Sequence, residues 1–146
     1  MKAYNPEMHT AEHVLNQTMV QMFACNRSFS NHLERKKSKC DYRFQRSLTK
    51  TEELAIEKQV NETLALHLNV TEEILERKEA SRLFDLEKLP DASGEQVRIV
   101  RVGDYDACPC IGEHVKNTSE VGQFLLGSTS FGDGVLRIRF KLKRPL

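Results

Sequence analysis

At 146 residues, with 39% apolar and 29% charged side chains, the chain has the size and composition of one ordinary globular domain that buries a core without disulfide staples. No apolar run reaches membrane-spanning length, Met1-Lys2-Ala3-Tyr4-Asn5-Pro6 lacks the apolar core of a secretion signal, and a formal net charge of +1 excludes indiscriminate coating of nucleic acid. The expectation is a cytoplasmic protein with no membrane partner, whose cysteines (Cys25, Cys40, Cys108 and Cys110) serve metals or packing.

Asn5-Pro6-Glu7 opens a helix, with an Asn cap, a Pro in the first turn and an acid beside the positive helix end. Ala11, Val14, Leu15, Met19, Met22 and Phe23 recur at helical spacing and carry this helix to about residue 24. Residues 25–46 are polar, with short strand-like pieces at 31–33 and 39–44. Thr49-Lys50-Thr51-Glu52-Glu53 opens a second helix, capped by Thr49 or Thr51 and carrying Leu54, Ile56 and Val60. Leu64, Leu66, Leu68 and Val70 alternate with polar residues and predict a half-buried strand, followed by a short helix at 75–84.

Pro90-Asp91-Ala92-Ser93-Gly94 reads as a turn and 97–102 as a strand that feeds a Cys/His loop. Residues 122–128 and Val135–Lys143 then form a hairpin around Phe131-Gly132-Asp133-Gly134. The expected fold class is α+β, a two-layer, mainly antiparallel sheet with helices packed on one face, as a single domain over residues 1–146.

Chemistry concentrates at two places. In His9-Thr10-Ala11-Glu12-His13 the two imidazoles, four apart on a helix, point the same way and can hold one metal ion. Cys108-Pro109-Cys110-Ile111-Gly112-Glu113-His114 supplies a thiolate and a third imidazole. Cys110 is the better sulfur ligand, since its spacing to His114 makes a compact loop; Cys108 reads as a small buried residue. Each half is a weak signal alone. Together they predict a tetrahedral zinc site from His9, His13, Cys110 and His114.

The first segment also fits the inverted zincin pattern His-x-x-Glu-His, in which the glutamate is a peptidase base. That pattern leaves Cys110 and His114 unexplained, and Glu12 is read as an exposed helix residue. Two basic clusters, Arg35-Lys36-Lys37-Ser38-Lys39 and Arg137 with Arg139, Lys141, Lys143 and Arg144, are solvated faces unless something else points to RNA.

Over nearly all of its length the chain resembles the editing domain of alanyl-tRNA synthetases and their free-standing AlaX-type relatives, the second additional domain also seen in threonyl-tRNA synthetases. The resemblance is carried by His9-Thr10-Ala11-Glu12-His13, by Cys110-Ile111-Gly112-Glu113-His114-Val115 with Asn117-Thr118-Ser119-Glu120-Val121-Gly122, and by Gly134-Val135-Leu136-Arg137-Ile138. Cys40-Asp41-Tyr42 and Ile56-Glu57-Lys58-Gln59-Val60-Asn61 match two further family segments. Ile111 and Glu113 replace smaller family residues beside the metal. The usual Gln-x-Gly-Ser segment is not evident, and Ser30-Asn31-His32 falls near its place.

The resemblance implies zinc-dependent hydrolysis of the ester that joins serine or glycine, mischarged onto alanine tRNA, to the 3′-terminal ribose. Such errors need a separate hydrolytic site because binding discriminates them by only about 1–3 kcal/mol. The short chain around His9 implies the free-standing class, acting in trans on the acceptor end of tRNA. Ser30, Asn31, His32, Ile111 and Glu113 would line the amino-acid pocket, and Arg35, Lys36, Lys37, Lys39, Arg137 and Arg139 would contact phosphates. Four protein ligands leave two possibilities open: one ligand yields to substrate, or the water is activated elsewhere. A zinc-stabilised tRNA-binding module without activity is the alternative that Ile111 and Glu113 suggest.

Overall fold

The computed structural model describes residues 5–86 and 95–145. The expected turn at residues 90–94 lies outside them. Among the described residues the order is α1 (Pro6–Phe23), β1 (Ser30–Leu33), β2 (Ser38–Arg43), α2 (Lys50–Leu64), β3 (Val70–Glu76), α3 (Arg77–Leu83), β4 (Gln96–Val102), β5 (Asp106–Pro109), β6 (Gln123–Gly132) and β7 (Val135–Lys143). The fold is α+β, and every strand pairing is antiparallel.

The strands divide between two sheets, a four-stranded one ordered β1-β2-β7-β6 and a three-stranded one ordered β3-β4-β5. Period-2 alternation sends Cys40 and Tyr42 of β2, and Leu136, Ile138, Phe140 and Leu142 of β7, to one face of the larger sheet. There they pack with Met8, Ala11, Val14, Leu15 and Met19 of α1 and with Ile56, Val60 and Leu64 of α2. Each fully buried side chain of this size contributes about 1.5–3 kcal/mol of hydrophobic burial. The smaller sheet has its own cluster, Ala80 of α3 against Val97 and Ile99 of β4.

The helix starts follow local chemistry. The Asn5 side chain accepts the Met8 N–H, Pro6 occupies the first helical position, and α1 ends at Ala24 in the left-handed region. At α2 the cap is Thr49 rather than Thr51, in a reciprocal capping box with Glu52.

The strand expected across residues 64–70 does not form there. Leu64 is the last residue of α2, Leu66 is 67% exposed in the following turn, and His67 adopts φ +53°; β3 begins only at Val70. Alternating leucines mimicked a strand because one closes a buried helix face while another lies in solvent. Consequently Leu75 and Glu76 belong to β3, and α3 is shorter than expected.

Helix α2 also serves β6 directly. Asn61 donates to the Phe124 carbonyl and accepts the Phe124 N–H, both at 2.8 Å, and Glu57 accepts the Leu126 N–H at 2.8 Å. Strand β6 runs past its expected end, with a register irregularity between Leu126 and Thr129.

Candidate metal centre

Two elements far apart in sequence build the site. Helix α1 presents His9 and His13 on the flank facing away from the larger sheet, because their positions alternate with those of the core residues Met8, Ala11 and Leu15. Strand β5, which the sequence did not reveal, then delivers Cys110. Pro109 still pairs with Ile99, and the Cys110 N–H donates to the Arg98 carbonyl at 3.1 Å. Arg98 turns the loop: its guanidinium donates to the carbonyls of Cys110 (3.0 Å) and Gly112 (2.7 Å) and to the Glu72 carboxylate (2.9 Å).

The ligating atoms of His9, His13, Cys110 and His114 lie within 4.8 Å of one another, an arrangement that could hold a metal ion. The His9 and His114 rings stack at 4.1 Å between centroids, and His13 meets both edge-on at 4.9 and 4.4 Å. Cys110 Sγ is 3.3 Å from His9 Nε2 and 3.6 Å from His114 Nε2.

An oxygen faces the outer nitrogen of each ring. His9 Nδ1 donates to the Glu113 carbonyl at 3.1 Å, and Thr10 Oγ1 lies 3.0 Å from His114 Nδ1 while accepting the Val115 N–H. Asp106 Oδ2 is 3.4 Å from His13 Nδ1, too long for an ordinary hydrogen bond, and that buried nitrogen has no shorter partner among the described residues. Asp106 is held in turn by Arg27 through contacts of 2.6 and 3.3 Å. Outer partners of this kind fix ring orientation and leave Nε2 for a metal. The donor set of three imidazoles and a thiolate suits a tetrahedral N/S site.

The electrostatics favour a thiolate. Burial alone would raise the Cys110 thiol, but hydrogen bonds from His114, His13 and His9 bring it down to about 3. Burial lowers His114 to about 4 despite its bond to Cys110. His13 opposes its own burial and rises to about 9, through the Glu12 charge and its contacts with Asp106 and Cys110. Cys108 is half-buried outside the cluster, and burial pushes its thiol up to about 12.

Glu12 corrects an expectation. It is 4% exposed rather than solvated, because α1 turns this position under the loop that precedes β1, where Asn16 Nδ2 donates to Glu12 Oε2. Among the expected pocket residues, Ile111 is 60% exposed and Glu113 is exposed beside the cluster. Asn31 accepts from the Ser28 hydroxyl, and Ser28 N–H donates to Asn16 Oδ1, which connects β1 to Glu12. Ser30 and His32 share the solvent-facing side of β1, and His32 pairs with Glu34.

The strand register brings the two basic clusters together. Lys39 lies opposite Arg139 and Asp41 opposite Arg137 on the face of the larger sheet away from α1 and α2, while Arg35, Lys36 and Lys37 are exposed in the β1–β2 turn. Arg137 is engaged by Asp41 through contacts of 2.7 and 2.9 Å. Thr10, Arg27, Arg98 and Asp106 were not singled out in the sequence; only the fold shows what they touch.

Residues 97–139 match the second additional domain of threonyl and alanyl tRNA synthetases. The chain is 32% identical over 132 residues to the alanine–tRNA ligase of Fervidobacterium nodosum and 33% identical over 132 residues to that of Bacillus pumilus, each match covering 89% of the chain and 15% of the relative. The alanine–tRNA ligase of Streptomyces avermitilis is 40% identical over 84 residues, 57% of the chain and 9% of the relative. The chain therefore spans no more than 15% of the length of these relatives. No helix among the described residues is long and apolar enough to cross a membrane.

Proposed function

We propose that this chain, an AlaX-like protein built on the editing-type domain of alanyl-tRNA synthetases, is a zinc-dependent deacylase that removes serine or glycine from mischarged alanine tRNA. The observation that carries this reading is the convergence of His9, His13, Cys110 and His114 within a chain similar to alanine–tRNA ligases. Residues 1–146 act in it as one domain in the cytoplasm, with the acceptor end of tRNA as partner.

Zinc held by the four residues would supply positive charge close to the ester carbonyl as negative charge develops on its oxygen. The chain's own residues do the rest. Thr10, the Glu113 carbonyl and Asp106 orient the three rings, and Arg98 fixes the loop that carries the thiolate. Ile111 and Glu113, exposed beside the cluster, would line the amino-acid pocket. The decisive experiment measures release of serine, glycine and alanine from charged tRNA, with and without chelator. Release of serine or glycine that stops when metal is removed supports the reading; no release from any charged tRNA sinks it.

A second reading is favoured by the exposed, bulky Ile111 beside the cluster: a zinc-stabilised tRNA-binding module that has lost hydrolysis. Metal-dependent tRNA binding with no deacylation selects it. A peptidase of the inverted zincin type ranks last, since Cys110 and His114 sit with the two helical histidines where that chemistry uses a carboxylate ligand.

A further inference from the structure

We infer that Glu12 is the general base of the reaction: its free carboxylate oxygen takes the proton of the water that attacks the ester. This rests on the hydrolase reading above. Three imidazoles and a thiolate would together fill the positions of a tetrahedral ion, and the attacking water would then need a base outside that set. Glu12 is where such a base would be. It lies on α1 between His9 and His13, is 4% exposed, and holds Oε1 3.8 Å from His9 Nε2, the nitrogen that faces the cluster.

Its other oxygen is already engaged, in a fixed sense. Ser28 N–H donates to Asn16 Oδ1 at 3.0 Å, so the Asn16 amide must turn Nδ2 toward Glu12, and it donates to Oε2. Among the described residues Oε1 is left without a donor, at the edge of the site. Among the described residues no lysine or arginine lies within ion-pair distance of Glu12; Arg27, close enough to feel its charge, is committed to Asp106. Burying a carboxylate with one oxygen unpaired is costly to the fold. General-base catalysis first requires the base to stand within reach of the reacting water, and Oε1 stands 3.8 Å from the nitrogen of His9 that faces the cluster.

In the step itself, a water proton passes to Glu12 Oε1 as the water oxygen bonds to the ester carbonyl carbon. The carbon–oxygen bond to ribose then breaks, and Glu12 returns the proton to the departing ribose oxygen. The products are the free amino acid, whose new carboxyl group ionises to solvent, and a tRNA 3′-hydroxyl. No other reactant is needed.

The test is single-turnover hydrolysis of seryl-tRNA(Ala) by the zinc-loaded wild type, Glu12→Gln and Glu12→Ala. Glu12→Gln should be slower by about 100-fold or more. Its metal content and the visible spectrum of its cobalt form should be unchanged, and added formate should partly restore Glu12→Ala. Formate rescue is a readout that a merely structural carboxylate would not give. If Glu12→Gln fails to hold metal, rescue of Glu12→Ala decides the matter, and a flat response overturns the inference. So does a Glu12→Gln rate within about threefold of wild type, or an altered cobalt spectrum, which would make Glu12 a ligand instead. A wild type inert on every mischarged tRNA removes the hydrolase reading and this inference with it, an outcome separable from the others.

Discussion

A Cβ on Gly112 would lie 2.2 Å from Cε1 and 2.5 Å from Nδ1 of His9, so loop backbone and imidazole meet at a distance that only glycine permits. Gly112→Ala must push the ring or the loop away and break the bond from His9 Nδ1 to the Glu113 carbonyl. The expected result is a metal affinity about 10–100-fold weaker with secondary structure intact. Chelator competition alongside circular dichroism measures both, and an unchanged affinity would show that the loop yields freely.

His9→Ala and Cys110→Ala should each abolish metal retention and deacylation together. One removes an oriented nitrogen, the other the only group in the cluster that supplies negative charge. Metal content of the purified variants, set beside their hydrolysis of seryl-tRNA, is the measurement; full activity in a metal-free variant would detach the chemistry from this cluster.

Lys39 and Arg139, opposed across β2 and β7, are the cations of the open sheet face to test as phosphate contacts, since Arg137 is already held by Asp41. Neutralising both should weaken tRNA binding and reduce the slope of log affinity against log salt by about 2. A slope equal to wild type would mean a solvated face with no RNA on it.

Asp41 ties stability to acid. Its hydrogen bonds to Arg137 hold the carboxyl below its ordinary value of 3.8, against a smaller opposing effect of burial. The folded value is depressed, so the stabilisation is complete above the unfolded value and is lost as pH falls through the lower folded one. Thermal unfolding of Asp41→Asn should show a lower midpoint at neutral pH and a shallower loss below pH 4. Parallel curves for the two proteins would refute the linkage.

Thr118 Oγ1 accepts the Leu68 N–H and donates to the Leu64 carbonyl, both at 2.9 Å, joining the end of α2 to the chain before β3. Thr118→Val keeps the shape but strands the Leu68 N–H and leaves the Leu64 carbonyl only the His67 N–H at 3.3 Å, at an expected cost of about 1–3 kcal/mol in denaturant unfolding. A difference below about 0.5 kcal/mol would mean that water replaces the hydroxyl.

Features decided by local chemistry were legible in the sequence. The Asn5 and Thr49 caps, the period of α1 and the turn before β7 depend on neighbours a few residues away. The His and Cys residues of the cluster were legible for another reason, since few side chains bind metals and four of them stood in recognisable pairs. What escaped depends on distant partners. Arg98 reads as an ordinary solvent-facing strand residue until the fold brings the Cys110 and Gly112 carbonyls to its guanidinium. Glu12 reads as solvated until the loop before β1 covers it, and β5, four residues long, pairs only because β4 lies beside it. The division into two sheets rests on the pairing of β2 with β7, far apart in the chain, which no local period encodes.

The side chains that α2 lends to β6 have a consequence for how copies of the protein meet one another. β6 ends the larger sheet, and a bare terminal strand is a template on which another chain can add itself. Asn61 and Glu57 consume the Phe124 and Leu126 backbone groups that an incoming strand would need. Removing them would therefore do more than loosen a helix. It would open the flank of the sheet to self-association, so the conspicuous defect of an Asn61 variant would be concentration-dependent aggregation rather than lost chemistry.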